Sequence, residues 1–281
     1  MSARATTRRR QLGATMRKFR ARAGMTLEEA GRLIDVSKAT VSRYETQTGP
    51  VKWPIVEALC RGYGATEAEL HAVVALAKGV KQQGWWNSII DPVPESMNLL
   101  LTLEDEAVRE DHFNCLYVPG LLQTRGYTTA VQYASEMRLS PEEIERLVDI
   151  RMKRQEILGR PKPPHLWAIL DESVIRRVVG SPHVMRGQLE RLLEANESQH
   201  ITLQVLPFSK GAHSAAMGSF VIIGGAEPSL DVAYIDTHVG SLFMEQEPEL
   251  VRYRLAFDYL RAQALDMAAS SALIGSVHKE L

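Results

Sequence analysis

Through most of the first 80 positions apolar residues recur at three- and four-residue spacing, which predicts helices rather than strands. Leu12, Met16 and Phe19 mark one face of a first helix. Arg17, Lys18, Arg20 and Arg22 lie around its other side, and Gly24 stops it. Thr26 and Glu29 have the spacing of a capping box, opening a second helix that runs to about 33. Ser37 caps a short third helix over 38–45. Gly49-Pro50 breaks the chain, and helices follow over 53–63 and 67–78, the latter capped by Thr66. Residues 1–10, with Arg4, Arg8, Arg9 and Arg10 and almost nothing apolar, read as a flexible basic arm. Residues 11–80 then form one five-helix domain.

The texture changes at 81–98, where Gly84, Asp91-Pro92 and Pro94 interrupt any periodicity, and a linker is expected there. Helices resume at 99–111, 125–138 and 140–158, the last with Ser140 as cap, Pro141 at its first position and Glu143 completing a box. From His165 onward strand and helix patterns alternate. Strands are expected at 166–170, 201–206, 219–223, 231–235 and 241–244, with helices at 172–179 and 182–197. A helix over 248–264 carries Leu250, Tyr253, Phe257, Leu260 and Ala264 at 3/4 spacing, a stripe suited to packing on a core. Another helix follows Asp266. The expected fold is therefore mainly α with an α+β second domain over 99–281, built of helices and a small, mostly antiparallel sheet.

Charge sharpens this division. The chain of 281 residues has a formal net charge of −1. Residues 1–80 hold 14 Lys/Arg against 7 Asp/Glu, a net of +7, and the remainder 19 against 27, a net of −8. A basic block joined to an acidic one suits a polyanion partner for the first alone. Cys60 and Cys115 are the only cysteines, too far apart for a metal spacing and too few for a disulfide framework, so a reducing cytoplasm is expected. No apolar run approaches the ~20 residues that span a bilayer.

The stretch 26–45 carries the functional argument. Ala30 and Gly31 are small where two helices must approach closely, Ile34 and Val36 flank a turn at Asp35, and Val41 returns to the core. This spacing builds a unit in which the second helix braces the third in the major groove of DNA. With Val41 and Tyr44 inward, Lys38, Ala39, Ser42 and Arg43 face outward. Arg43 is the candidate for a bidentate contact to guanine, and Lys38 reaches a guanine edge or a phosphate. Ala39 suits a thymine methyl. Thr26, Ser37 and Thr40 are placed for phosphates.

Leu12-Gly13-x-x-Met16-Arg17-x-x-Arg20, Met25-Thr26-x-Glu28-Glu29-Ala30 and Val36-Ser37-x-x-Thr40-Val41-Ser42-Arg43-Tyr44-Glu45 together resemble the Cro/repressor (Xre) type of helix-turn-helix. The resemblance covers about 11–78 and implies five helices, a homodimer on double-stranded DNA and transcriptional control, usually repression. Asp35 departs from it, standing where such proteins often have Gly, so a strained turn is expected. Farther on, Tyr117-Val-Pro-Gly-Leu-Leu-Gln-Thr124, Arg151-x-x-Arg154-Gln155-Glu156, Asp171-Glu172, Gln188-Leu-x-x-Leu192 and Val205-Leu-Pro-Phe208 with Gly211-x-His213 resemble the long C-terminal domain of antitoxin-like Xre regulators. That domain has no settled activity. The resemblance implies a small partner protein encoded beside the chain.

Known chemistries find no footing in the second half. After Lys162 the only lysines are Lys210 and Lys279, which leaves no Ser–Lys pair for self-cleavage. No His-Glu-x-x-His and no glycine-rich phosphate loop occurs, and His165, His183, His200, His213 and His238 are too dispersed for a metal site. No enzyme activity, cofactor or metal is expected. Two segments remain as candidate partner or ligand sites. One is the turn at 119–124 with Gln123 and Thr124. The other is the loop of small residues at 207–218 with Lys210 and His213. Arg151 and Arg154 suit either an internal acid, such as Glu172, or a bound anion. The sequence is thus read as a dimeric DNA-binding regulator, with repression as its expected role, controlled through its C-terminal domain by a small protein. A small-molecule sensor and an antitoxin that masks its partner are the alternatives.

Overall fold

A computed structural model describes residues 3–46, 51–78, 95–135, 139–225, 231–237 and 240–281, and the chain divides into two compact units between Gly84 and Trp85. In the first unit, helices α1 (Ala3–Arg22), α2 (Leu27–Arg32), α3 (Lys38–Glu45), α4 (Trp53–Gly62) and α5 (Glu67–Lys78) close around Leu12, Met16, Phe19, Ala30, Val41, Val56, Leu59, Cys60, Leu70 and Val73. The five helices fall where the periodicity places them. The expected arm does not: α1 begins at Ala3, so residues 3–10 are its first turns. The stretch holds no Gly or Pro, and its Ala and Arg are good helix formers. Gly49-Pro50 and most of the expected linker, 81–94, lie outside the described residues, and 95–98 begin a helix.

The second unit opens with α6 (Glu95–Glu106) and then β1 (Arg109–Asn114). The expected 99–111 helix thus stops early and a strand takes its place. This strand pairs in parallel with β2 (His165–Asp171), which pairs in parallel with β3 (Ile201–Leu206). On its other side β1 runs antiparallel to β4 (Phe220–Gly224), followed by β5 (Val232–Thr237) and β6 (Gly240–Met244) in an antiparallel meander. The sheet order is β3-β2-β1-β4-β5-β6, a mixed sheet of six strands.

Between β1 and β2 run α7 (Arg125–Ser135) and α8 (Pro141–Arg154). Between β2 and β3 run α9 (Glu172–Arg176) and α10 (Pro182–Ala195), and α11 (Glu247–Gln263) and α12 (Met267–Glu280) end the chain. One face of the parallel half, through Leu166, Ala168, Leu170, Leu203 and Val205, packs on α7, α9, α10 and α12. Ile169, Phe113, Phe220 and Ile222 on the opposite face pack on Phe257 and Leu260 of α11, so the 3/4 stripe of that helix is core as expected. Among the described residues no helix is long and apolar enough to cross a membrane.

Candidate nucleic-acid interface and the polar cluster of the second unit

The geometry of the first unit is set by its caps. Ser37 Oγ accepts from the Thr40 N–H at 3.2 Å at the start of α3. At α2, Glu29 Oε2 takes both the Thr26 N–H (2.7 Å) and its hydroxyl (2.8 Å). Thr26 therefore builds the capping box, and neither of its donors is left for a phosphate. The turn between α2 and α3 is tight enough that a Cβ on Gly31 would meet the Val36 carbonyl oxygen at 2.3 Å. Gly31 is thus needed against the turn itself rather than against a crossing helix. Asp35 has φ +54°, the only non-glycine in the left-handed region among the described residues. The strain expected there is present.

Along α3, Val41 is fully buried and Tyr44 packs against the core, while Lys38, Ala39 and Arg43 are exposed and Thr40 and Ser42 half-buried. The Ser37 and Thr40 hydroxyls lie 3.0 Å apart, and Arg43 Nη2 donates to Thr40 Oγ1 at 3.1 Å. A polar string Ser37–Thr40–Arg43 thus runs along the outer face of the helix and holds the guanidinium near it.

Sequence reasoning placed Arg20 on the basic surface, but the structure turns it inward. Its Nε and Nη2 donate to the two carboxylate oxygens of Glu45, and Nη1 donates to the Met25 carbonyl at 2.8 Å. The clasp fixes the end of α3 to α1 and raises the Arg20 pKa, chiefly through its hydrogen bond to Glu45. A second arginine, Arg22, holds Glu69 through both oxygens, and Glu69 also accepts from the Thr66 N–H at 2.8 Å. The pair ties α1 to α5.

In the second unit Gln123 is buried, with every polar group of its side chain engaged by the chain. Nε2 donates to the Val118 carbonyl at 2.7 Å, and Oε1 accepts from Thr128 at 3.0 Å and from Arg151 Nη1 at 3.4 Å. The Thr124 N–H donates to Gln188 Oε1 at 2.7 Å, and Gln155 Nε2 donates to the carbonyls of Gly120 and Gln123. Three glutamines therefore stitch the 118–124 turn into the unit. Lys210 is exposed, whereas the His213 ring lies 5.3 Å from that of Phe113, on the α11 side of the sheet. The two candidate segments do not meet in one site. His238 lies outside the described residues.

What the sequence did not announce is a polar cluster on the other face of β1. Residues directly paired across strands share a face. Glu110 and His112 therefore lie beside Leu166 and Ala168, and His112 is in line with Val221 and Tyr234. Glu110 Oε2 and His112 Nε2 are 2.8 Å apart, both residues buried. Above them Arg154 of α8 grips Glu104 of α6 through Nε (2.8 Å) and Nη2. Glu172, the acid expected to pair with these arginines, instead binds Arg176 and the Phe208 N–H. Arg151, one turn before Arg154, has no carboxylate within ion-pair distance among the described residues, and its buried Nε has no hydrogen-bond partner among them. Burial and the neighbouring Arg154 push its guanidinium down to about 10, while burial pushes the Glu104 carboxyl up. The sequence signal that could have found the cluster is a run of charge, Arg109-Glu110-Asp111-His112, standing where a strand is central.

Residues 11–73 match a helix-turn-helix domain, and residues 97–276 match the family described as a domain of unknown function, DUF5753. The second match spans more than half of the chain, which therefore belongs to that family and carries a DNA-binding helix-turn-helix domain at its N-terminal side. Among curated proteins and among solved structures, no match to this chain is found.

Proposed function

We propose that this DUF5753-family chain is a sequence-specific transcriptional regulator that binds DNA as a homodimer and acts as a repressor. In this reading α3 enters the major groove. Arg43 reads a guanine edge, Lys38 a guanine or a phosphate, and Ala39 a thymine methyl. Ser37, Thr40 and Ser42 lie along the flanking backbone. The observation that carries it is the outward string Ser37–Thr40–Arg43 beside exposed Lys38 and Ala39, on a helix clasped from behind by Arg20 and Glu45. The +7 charge of residues 1–80 supports a polyanion partner for the first unit.

Control is assigned to the second unit and to a small protein encoded beside this chain. The resemblance to antitoxin-like Xre regulators motivates that assignment, and the reading contains no catalytic step. The test is a DNA-binding titration on the region upstream of this chain's own gene, with and without the purified neighbour. A shifted Kd supports control by the neighbour, and an unchanged one rejects it. A second reading, control by a small molecule, is favoured by one observation: the buried Nε of Arg151 has no partner among the described residues.

A further inference from the structure

The polar cluster under α8 is an expensive thing to build. Two guanidiniums stand there, yet the neighbouring carboxylate, Glu104, gives both of its oxygens to Arg154 alone. Glu110 is turned to His112 through one oxygen and leaves Oε1 buried and unpartnered. Arg151 receives only a long contact to Gln123 at 3.4 Å, and its Nε is left over. Enclosing an unpaired charge costs several kcal/mol in general, and buried polar atoms without partners are rare in folded proteins. Apolar side chains of similar volume would serve stability better.

The chain also makes room for the arrangement. A Cβ on Gly120 would stand 2.9 Å from Arg151 Nη1 and 3.7 Å from Arg154 Nη1, so this glycine admits both guanidiniums to the turn. Arg151 is half-buried, so part of the residue can be reached from solvent while its unpartnered Nε is buried. The polar face continues outward along β5. Tyr234 and Ser241 are half-buried, their hydroxyls 3.3 Å apart, and Ser241 donates to exposed Asp236. Both Tyr234 and Asp236 act electrostatically on Arg151. Polar groups therefore lead from solvent to the guanidinium.

We infer that the cluster around Arg151 is a binding site for a small metabolite bearing an oxoanion, carboxylate or phosphate, which docks on that residue. The Nε edge of a guanidinium presents two parallel N–H donors to such a group. The unpartnered Glu110 Oε1 is the acceptor assigned to an N–H or O–H on the same ligand, and exposed Asp236 on the same polar face disfavours a bare anion. The site deepens the regulator reading by giving the second unit an effector of stated chemistry. Binding itself is read without DNA, so failure of either idea is recognised separately.

The experiment is thermal unfolding of the full chain with inorganic phosphate, acetate or glycine added, for the wild type, R151M and G120A. Stabilisation of the wild type by roughly 5–10 °C is expected once a ligand exceeds its Kd ~100-fold. Phosphate and the two carboxylates tell the two oxoanions apart, and a larger shift for glycine than for acetate points to Glu110 as the acceptor for the ammonium group. R151M removes the shift while unfolding at or above the wild-type temperature without ligand, because it takes away a charge that nothing pairs. G120A weakens the shift with every charge retained. Absence of a shift in the wild type with all three probes overturns the inference. So does R151M unfolding well below the wild type without ligand, since Arg151 would then be a structural strut through Gln123.

Discussion

Arg20 holds Glu45 through both carboxylate oxygens, at 2.7 and 2.8 Å, and so fixes the last turn of α3 against α1. Glu45 is almost fully buried and Arg20 nearly so. Removing one partner strands the other in a site that water barely reaches. R20M is expected to lower stability by about 3 kcal/mol, and R20M/E45L to recover much of that loss. Denaturant unfolding of the two singles and the double, followed through the first unit, measures this. An additive double would place the cost elsewhere than in the pair.

The α2–α3 turn is spring-loaded by two residues of opposite fitness. Ala at Gly31 puts a methyl into the Val36 carbonyl, and about 2 kcal/mol of destabilisation is expected as the turn opens. D35G relieves a left-handed residue and is expected to gain about 0.5–1 kcal/mol. Because α3 hangs from this turn, G31A also weakens DNA binding, whereas D35G leaves it near wild type. Thermal unfolding and DNA titrations on the same samples check both.

If Arg43 reads a base, R43A costs about 1–3 kcal/mol on the preferred sequence and relaxes discrimination at one position. T40V deletes the oxygen that receives Arg43 Nη2 and is expected to reproduce part of that loss with the guanidinium still present. Titrations against a set of single-base variants of the site separate the roles. An equal loss on every sequence makes Arg43 a phosphate contact.

Acid should loosen the joint between α1 and α5. Hydrogen bonds from Arg22, and then from the Thr66 N–H, pull the Glu69 carboxyl down from 4.5 to about 2. A folded-state value below the unfolded one means that its stabilisation is present above pH 4.5 and is lost as pH falls toward 2. E69Q is therefore expected to be less stable than the wild type at neutral pH and to show a flatter loss through that window. Carboxyl titration by NMR gives the Glu69 value directly, and an ordinary one contradicts the account.

The first unit was legible because each of its signals is local. Thr26 and Glu29, Ser37 and Thr40, and Thr66 and Glu69 stand three apart and meet across one helical turn, so their spacing announces them. The Arg20–Glu45 clasp spans 25 residues, and nothing in either neighbourhood distinguishes an inward arginine from the exposed Arg17 and Lys18 beside it. In the second unit the five strands with apolar alternation were foreseen, and β1 was not. Its positions facing α8 are Glu110 and His112, so the two-residue rhythm of apolar side chains that marks a strand is missing. The same substitution of charge for apolar residues hid the cluster, since its members come from α6, β1, β5 and α8. The sheet is mostly antiparallel as expected, and the unforeseen β1 joins its halves, pairing in parallel with β2 and antiparallel with β4.

The central claim is that α3 reads DNA. Its most direct test is fluorescence anisotropy of the full chain on the region upstream of its own gene and on mixed-sequence DNA, at two salt concentrations. The account predicts binding at least ~10³-fold tighter on the upstream region and falling steeply with salt, with R43A abolishing most of the preference. Equal affinity for both DNAs, or no binding at low salt, contradicts it.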